Sequence, residues 1–154
     1  MLVSIVIPCY NSEQTIGKVV ELAIEEFEKL KDYECEFVLV NDYSRDNTWK
    51  SIHALTEKYP KCKRNQTWHK KFWTAQCHYG GMNYAQGELI LGMDDDMQNH
   101  PSQIPQFLDK MEEGYDIVFG VFKQRKFSWF KNLTGAVSRV SFVAFCWTVR
   151  RISR

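Results

Sequence analysis

Apolar runs alternate with polar, turn-forming stretches along the whole chain. "LVSIVIP" (residues 2–8) is a β-branched run closed by Pro8, which predicts a strand buried on both faces. Ser12 is placed to cap a helix, in which Ile16, Val19, Val20, Ala23, Ile24, Phe27 and Leu30 recur at helical spacing. "EFVLVND" predicts a second buried strand ending on Asp42. "SRDNT" then supplies cap residues for a helix with Ile52, Leu55 and Tyr59 on one face. A weaker, polar strand is expected around residues 63–68, and a helix over 74–86 stopped by Gly87. Ala75, Gly80, Gly81 and Ala85 would let that helix pack closely. "ELILGMD" is the third strong strand. Pro101 and Ser102 open a helix carrying Ile104, Phe107, Leu108 and Met111, ended by Gly114, and "DIVFGV" is the last clear strand.

The order βαβαβαβαβ, with no repeat and no Gly/Ser linker, predicts one α/β domain with a largely parallel sheet. Its 154 residues suffice for one core, and 44% apolar with 25% charged residues is ordinary globular composition. A formal charge of +1 gives no global attraction to nucleic acid or membrane, so any electrostatic function must be local. The 5 cysteines form no CxxC pair, which argues against zinc and for reduced thiols in a cytoplasmic setting. No run reaches the ~18 apolar residues of a spanning helix. No nucleic-acid recognition motif is present.

Ligands of such sheets bind beyond the carboxyl ends of the strands. Three polar clusters fall there: "PCYNSE", "NDYSRDNT" and "DDDMQNHP". In an extended segment Asp94 and Asp96 share a face, Asp95 points elsewhere, and Gln98 continues the first face. Two carboxylates and an amide oxygen suit Mg²⁺ or Mn²⁺. A calcium EF-hand is excluded, because its glycine and glutamate positions hold Asn99 and Pro105. The competing bland reading makes the aspartates helix caps or solvated charges.

These residues resemble a family 2 glycosyltransferase of GT-A fold, a three-layer α/β sandwich. "VSIVIPCYNSEQTI" resembles the opening strand and Pro-x-Tyr-Asn-x-Glu turn, and "VLVNDYSRDNT" the Val-Asp-Asp-Gly-Ser-x-Asp-x-Thr segment. "GELILGMDDDMQNHPSQIPQFLDKMEEGYDIVFGV" resembles the DxD block. Its DxDxQ and His-Pro are similar to the polyprenyl-phosphate branch, as is the basic segment "KQRKFSWFKNLTGAVSRV".

The resemblance implies that Pro8, Tyr10 and Glu13 line the nucleotide pocket, with Glu13 near the ribose or base, and that Asp42 contacts the base. Asp94, Asp96 and Gln98 would bind the metal and, through it, the donor diphosphate. Asp95 would contact the ribose or sugar side. Arg125, Ser128 and Lys131 would meet the donor diphosphate or a lipid phosphate, with Arg125 counted beside Asp94 and Asp96 as catalytic. The implied reaction moves a sugar from a UDP- or GDP-linked donor to an acceptor, a polyprenyl phosphate in the first place. Such an acceptor is already anionic and needs little help from a general base.

Two departures qualify the resemblance. Tyr43 stands where the family usually has glycine, and Lys71 and Trp73 replace an Asn-x-Gly entry. The family also continues beyond this length, and no Asp-x-Gly-x-Phe acceptor motif follows the basic segment. Residues 1–142 therefore read as a glycosyltransferase domain incomplete at its carboxyl end, and 143–154 as an atypical tail without strand or helix pattern. The alternative function is a nucleotide-sugar-binding remnant without transfer activity. Phe142, Phe145 and Trp147 beside Arg150, Arg151 and Arg154 suit peripheral association with the cytoplasmic face of a membrane.

Overall fold

The computed structural model describes residues 1–66, 80–97, 100–120 and 148–151. Strands β1 (Leu2–Cys9), β2 (Glu34–Asn41), β3 (Cys62–Gln66), β4 (Leu89–Gly92), β5 (Ile117–Phe119) and β6 (Thr148–Arg151) form one sheet in the order β3-β2-β1-β4-β6-β5. β1, β2, β3 and β4 are mutually parallel, and β6 runs antiparallel between β4 and β5. Helices α1 (Ile16–Glu28), α2 (Thr48–Lys58) and α3 (Ile104–Glu112) connect them, α3 being entered through a 3₁₀ turn over Pro101–Gln103.

Strands β1, β2 and β4 are buried on both faces, as their unbroken apolar runs require. One face carries Val3, Ile5, Ile7, Cys9, Phe37, Leu39, Leu89 and Leu91. It packs against Ile16, Val20, Ala23 and Phe27 of α1, Ile52 and Leu55 of α2, and Ile104, Leu108 and Met111 of α3. The other face is a smaller cluster of Val6, Val38, Val40 and Ile90, covered by Met82 and Ala85. A Cβ on Gly81 would come within 2.4 Å of Val6 Cγ1, so the small residue there is set by close packing.

Several local expectations change. Ser12 does not cap α1 with its side chain. Thr15 is the N-cap, and the Ser12 carbonyl accepts from Thr15 N and Ile16 N. The tail is not patternless, because Thr148–Arg151 pair with β4 and β5 and sit inside the sheet. A four-residue strand supported on both sides can form from a sequence that carries no alternation of its own. Gly87 is not a left-handed helix terminator; Gly114, with φ 97°, fills that role at the end of α3.

Gly87 instead marks a close approach to β1. A Cβ there would lie 2.7 Å from both Leu2 O and Ser4 N. Gly87 N also donates to Ser4 Oγ at 2.8 Å. Both obstructing atoms are backbone of a central strand and cannot move aside. Gly87→Ala is therefore expected to destabilise the fold by about 2 kcal/mol, read as a lower urea midpoint at unchanged m-value. An unchanged midpoint would contradict this packing.

Candidate functional site

The strand order reverses at β1, with β2 and β3 added on one side and β4 on the other. A crevice opens beyond the carboxyl ends at such a reversal. Tyr10 follows β1, Asp42 follows β2, and Asp94 lies just past β4. Two hydrogen bonds carry the pairing beyond the strands, Asp42 N to Cys9 O at 2.8 Å and Met93 N to Val6 O at 3.0 Å. The three polar clusters thus meet at one rim.

Pro8 is buried within β1, beyond Val6↔Gly92, the last register pair with β4. Tyr10 is 38% exposed, whereas Asp42 is only 4% exposed. Glu13 Oε2 accepts from Asn47 N at 2.8 Å, so one of its oxygens holds the start of α2. His100 accepts from Ser102 N through Nδ1 at 3.2 Å, at the entry to the 3₁₀ turn before α3. Gln98, Arg125, Ser128 and Lys131 lie outside the described residues, as do Lys71 and Trp73.

The loops after β1 and β2 are stapled together by side chains that the sequence reading passed over. Arg45 N donates to Asn11 Oδ1 at 2.9 Å, and Ser44 N to Asn41 Oδ1 at 3.3 Å. Asp46 Oδ1 accepts from Thr48 N at 3.0 Å and Oδ2 from Glu13 N at 3.2 Å. Burial pushes the Asp46 carboxyl up, but the bonds from Thr48 and Glu13 outweigh it and hold the group below its ordinary range. The Asp46 bond to Thr48 N two residues on is a readable local turn, whereas its reach to the other loop is a tertiary fact.

Beyond Gly92 the backbone does not stay extended. It bends over 95–97 and turns left-handed at Met97, φ 61°. The alternation that would have carried the Asp94/Asp96 face on to Gln98 is therefore broken. Asp95 Oδ2 accepts from Tyr10 N at 3.1 Å. Asp94 is half-buried and its carboxyl is pushed up to about 7, first by burial and then by the charges of Asp96 and Asp95. Burial likewise pushes Asp95 up, opposed by Ser12 and the Tyr10 amide. The buried Ser12 hydroxyl has no hydrogen bond of ordinary geometry, yet it lies near enough to favour the charged Asp95.

No set of three His, Cys, Asp or Glu side chains surrounds a common ion position among the described residues. The fit to a divalent ion rests instead on Asp94 and Asp96. They are close enough for one charge to raise the other's pKa, at a partly desolvated strand end. Hard oxygen donors with crowded negative charge match Mg²⁺ or Mn²⁺, with remaining positions left for phosphate or water.

Left-handed backbone recurs around this rim, at Asn11 (φ 52°), Tyr43 (φ 54°) and Met97 (φ 61°). Tyr43 is 50% exposed, so its ring contributes little packing. Tyr43→Gly is expected to stabilise the fold by about 0.5–1 kcal/mol, the relief of a left-handed non-glycine less the entropy glycine adds to the unfolded chain. A higher thermal midpoint would show it, and a lower one would contradict it.

Comparison with known proteins agrees with this arrangement. The family model described as "Glycosyl transferase family 2" matches residues 4–143. The undecaprenyl-phosphate 4-deoxy-4-formamido-L-arabinose transferase of Proteus mirabilis is 33% identical over 130 residues, covering 84% of this chain and 40% of that protein. A prophage bactoprenol glucosyl transferase homolog of Escherichia coli is 31% identical over 147 residues, covering 90% of this chain and 47% of that one. The chain thus spans less than half the length of these relatives. Among solved structures, a mannosyltransferase from Pyrobaculum calidifontis in complex with GDP-Man and Mn²⁺ superposes with TM-score 0.70 at 18% identity. It covers 97% of this chain and 44% of that one. The shared architecture is the GT-A fold, an α/β fold with a mostly parallel central sheet. The matched family model, which spans most of the chain, shows that the chain belongs to glycosyl transferase family 2.

Proposed function

We propose that this domain binds a UDP- or GDP-linked sugar together with Mg²⁺ or Mn²⁺ and transfers the sugar to a polyprenyl phosphate. The carrying observation is the convergence of Tyr10, Asp42 and the Asp94–Asp96 pair at the reversal of strand order. Exposed Tyr10 offers a ring to the nucleoside, and Asp42 offers an acceptor from a desolvated position. Asp94 and Asp96 would hold the ion, which when bound supplies Lewis-acid stabilisation to the departing diphosphate. Arg125, Ser128 and Lys131 are proposed as partners of the donor or acceptor phosphate. The relatives' names, an undecaprenyl-phosphate transferase and a bactoprenol glucosyl transferase homolog, support the lipid-phosphate acceptor. The GDP-Man and Mn²⁺ bound to the solved mannosyltransferase support the donor class and the ion.

No helix among the described residues is long and apolar enough to cross a membrane. A polyprenyl phosphate would nevertheless bring the protein to the cytoplasmic face of one.

The test is calorimetry with UDP, GDP and their sugar conjugates, with and without Mn²⁺, followed by nucleoside diphosphate release in the presence of polyprenyl phosphate. Manganese-assisted donor uptake that disappears in Asp96→Ala, with acceptor-dependent release in the wild type, is expected. Uptake without any release would favour the nucleotide-sugar-binding alternative. No uptake of any donor by folded protein would overturn the proposal.

A further inference from the structure

Tyr10, Asn11, Ser12 and Glu13 form the turn that leaves β1, and each of their four backbone amides is held by a side chain from elsewhere. Asn11 N donates to Ser44 Oγ at 3.1 Å, Ser12 N to Thr48 Oγ1 at 2.7 Å and Glu13 N to Asp46 Oδ2 at 3.2 Å. All three acceptors belong to the segment between β2 and α2 or to its first helical residue. The fourth amide, Tyr10 N, donates the other way, to Asp95 Oδ2 at 3.1 Å, across a sequence separation of 85 residues. Three ties anchor the turn to β2's side of the crevice, and this one anchors it to β4's side.

We propose that Asp95 is a positioning residue: it acts through the Tyr10 amide to hold the nucleoside side of the pocket against the strand end that bears Asp94 and Asp96. The inference rests on the donor-site reading above, and it replaces the expected contact of Asp95 with ribose or sugar. What the turn needs from Asp95 is an acceptor oxygen at the right place. A carboxylate is not required, because an asparagine Oδ1 accepts from the same amide. Losing the tie would free the Tyr10 end of the turn, while the amides of Asn11, Ser12 and Glu13 stay held from β2's side.

Charge and geometry can therefore be separated by two substitutions in the full chain, Asp95→Asn and Asp95→Ala. Affinity for UMP, GMP, UDP and GDP is measured in EDTA, so that effects on ion binding do not enter, alongside thermal midpoints and hydrogen exchange of the Tyr10 amide. Wild type and Asp95→Asn are expected to agree within about twofold, with Asp95→Ala weaker by about tenfold, the size of one lost hydrogen bond. Tyr10 exchange should speed up in Asp95→Ala alone. Equal loss in both variants would assign Asp95 to the ligand or ion through its charge and overturn the proposal. Unchanged affinity in Asp95→Ala would overturn it too, as would an Asp95→Ala chain that fails to fold while Asp95→Asn folds. If the wild type binds none of the nucleotides even with Mn²⁺ restored, the donor-site reading itself fails. The Tyr10 exchange rates then still report whether the tie exists.

Discussion

Asp94→Asn is expected to make the ion-free protein more stable above pH 7 and to abolish its manganese-assisted uptake of donor. Asp94 is held at about 7 by burial first and by the Asp96 and Asp95 charges next, against ~3.9 in an unfolded chain. Below pH ~4 both states keep the proton, and the group contributes nothing. As pH rises from ~4 to about 7, the unfolded chain releases a proton that the folded one retains, so folding becomes progressively less favourable. Above that window the penalty levels off. Partial exposure lets solvent screen the charge, so we place the effect on the order of 2–3 kcal/mol. Asparagine removes the titration and one of the three crowded charges. Urea unfolding at pH 4.5 and 8 should show the variant gaining more on the wild type at the higher pH. Added Mn²⁺ should stabilise the wild type at pH 8 and leave the variant unmoved. A wild type as stable as the variant at pH 8 in EDTA would contradict the crowding. Full manganese response in the variant would remove Asp94 from the ion site.

The second large effect is expected at the opposite end of the strands, far from the rim. Glu36 is 6% exposed, and Oε1 accepts from Ser4 Oγ and from Gln86 N, each at 2.6 Å. Lys63 Nζ donates to Oε2 and, at 2.7 Å, to Gln86 Oε1. Burial alone would push this carboxyl up, but Lys63, Ser4 and the Gln86 amide outweigh it and hold it below its usual range. Glu36→Ala would leave the O–H of Ser4, which is 0% exposed, and the Gln86 amide without their acceptor, while Lys63 can swing back toward water. A loss of about 3 kcal/mol is expected, against about 1–2 for Glu36→Gln, which keeps an acceptor. The sign with pH is opposite to that of Asp94. A lowered carboxyl contributes its full stability above the unfolded value of ~4.3 and loses it as pH falls through the folded value. The gap between wild type and Glu36→Ala should therefore narrow in acid. Nucleotide affinity of the folded variant should be unchanged, because Ser4 and Glu36 lie near the starts of β1 and β2. A gap that widens below pH 4 would refute the ion pair.

Legibility in the sequence followed the range of the interaction. The runs over Leu2–Cys9, Glu34–Asn41 and Leu89–Gly92 became central strands, because a strand covered on both faces must be apolar at every position. The spacing of Ile16, Val19, Val20, Ala23, Ile24 and Phe27 became the buried stripe of α1, because one face of a helix can serve one core. Gly81 and Gly114 were readable for close packing and for helix ending respectively. Gly87 was misread, because a glycine that admits a neighbouring strand looks the same in sequence as one that ends a helix.

By itself, then, the sequence determined the central strands, the helices α1, α2 and α3, their buried faces and the three polar strand ends, since each depends on residues a few positions apart. Only the tertiary structure decided that Thr148–Arg151 enter the sheet, since a short strand is made by the neighbours that pair with it. It also decided what the polar groups hold. Asp95 reaches Tyr10 and Asp46 reaches Glu13 because the strand order brings β4 and β2 to either side of β1. A hydrogen bond is fixed by distance and angle in space, and chain separations of 33 and 85 residues leave no local pattern from which to read it.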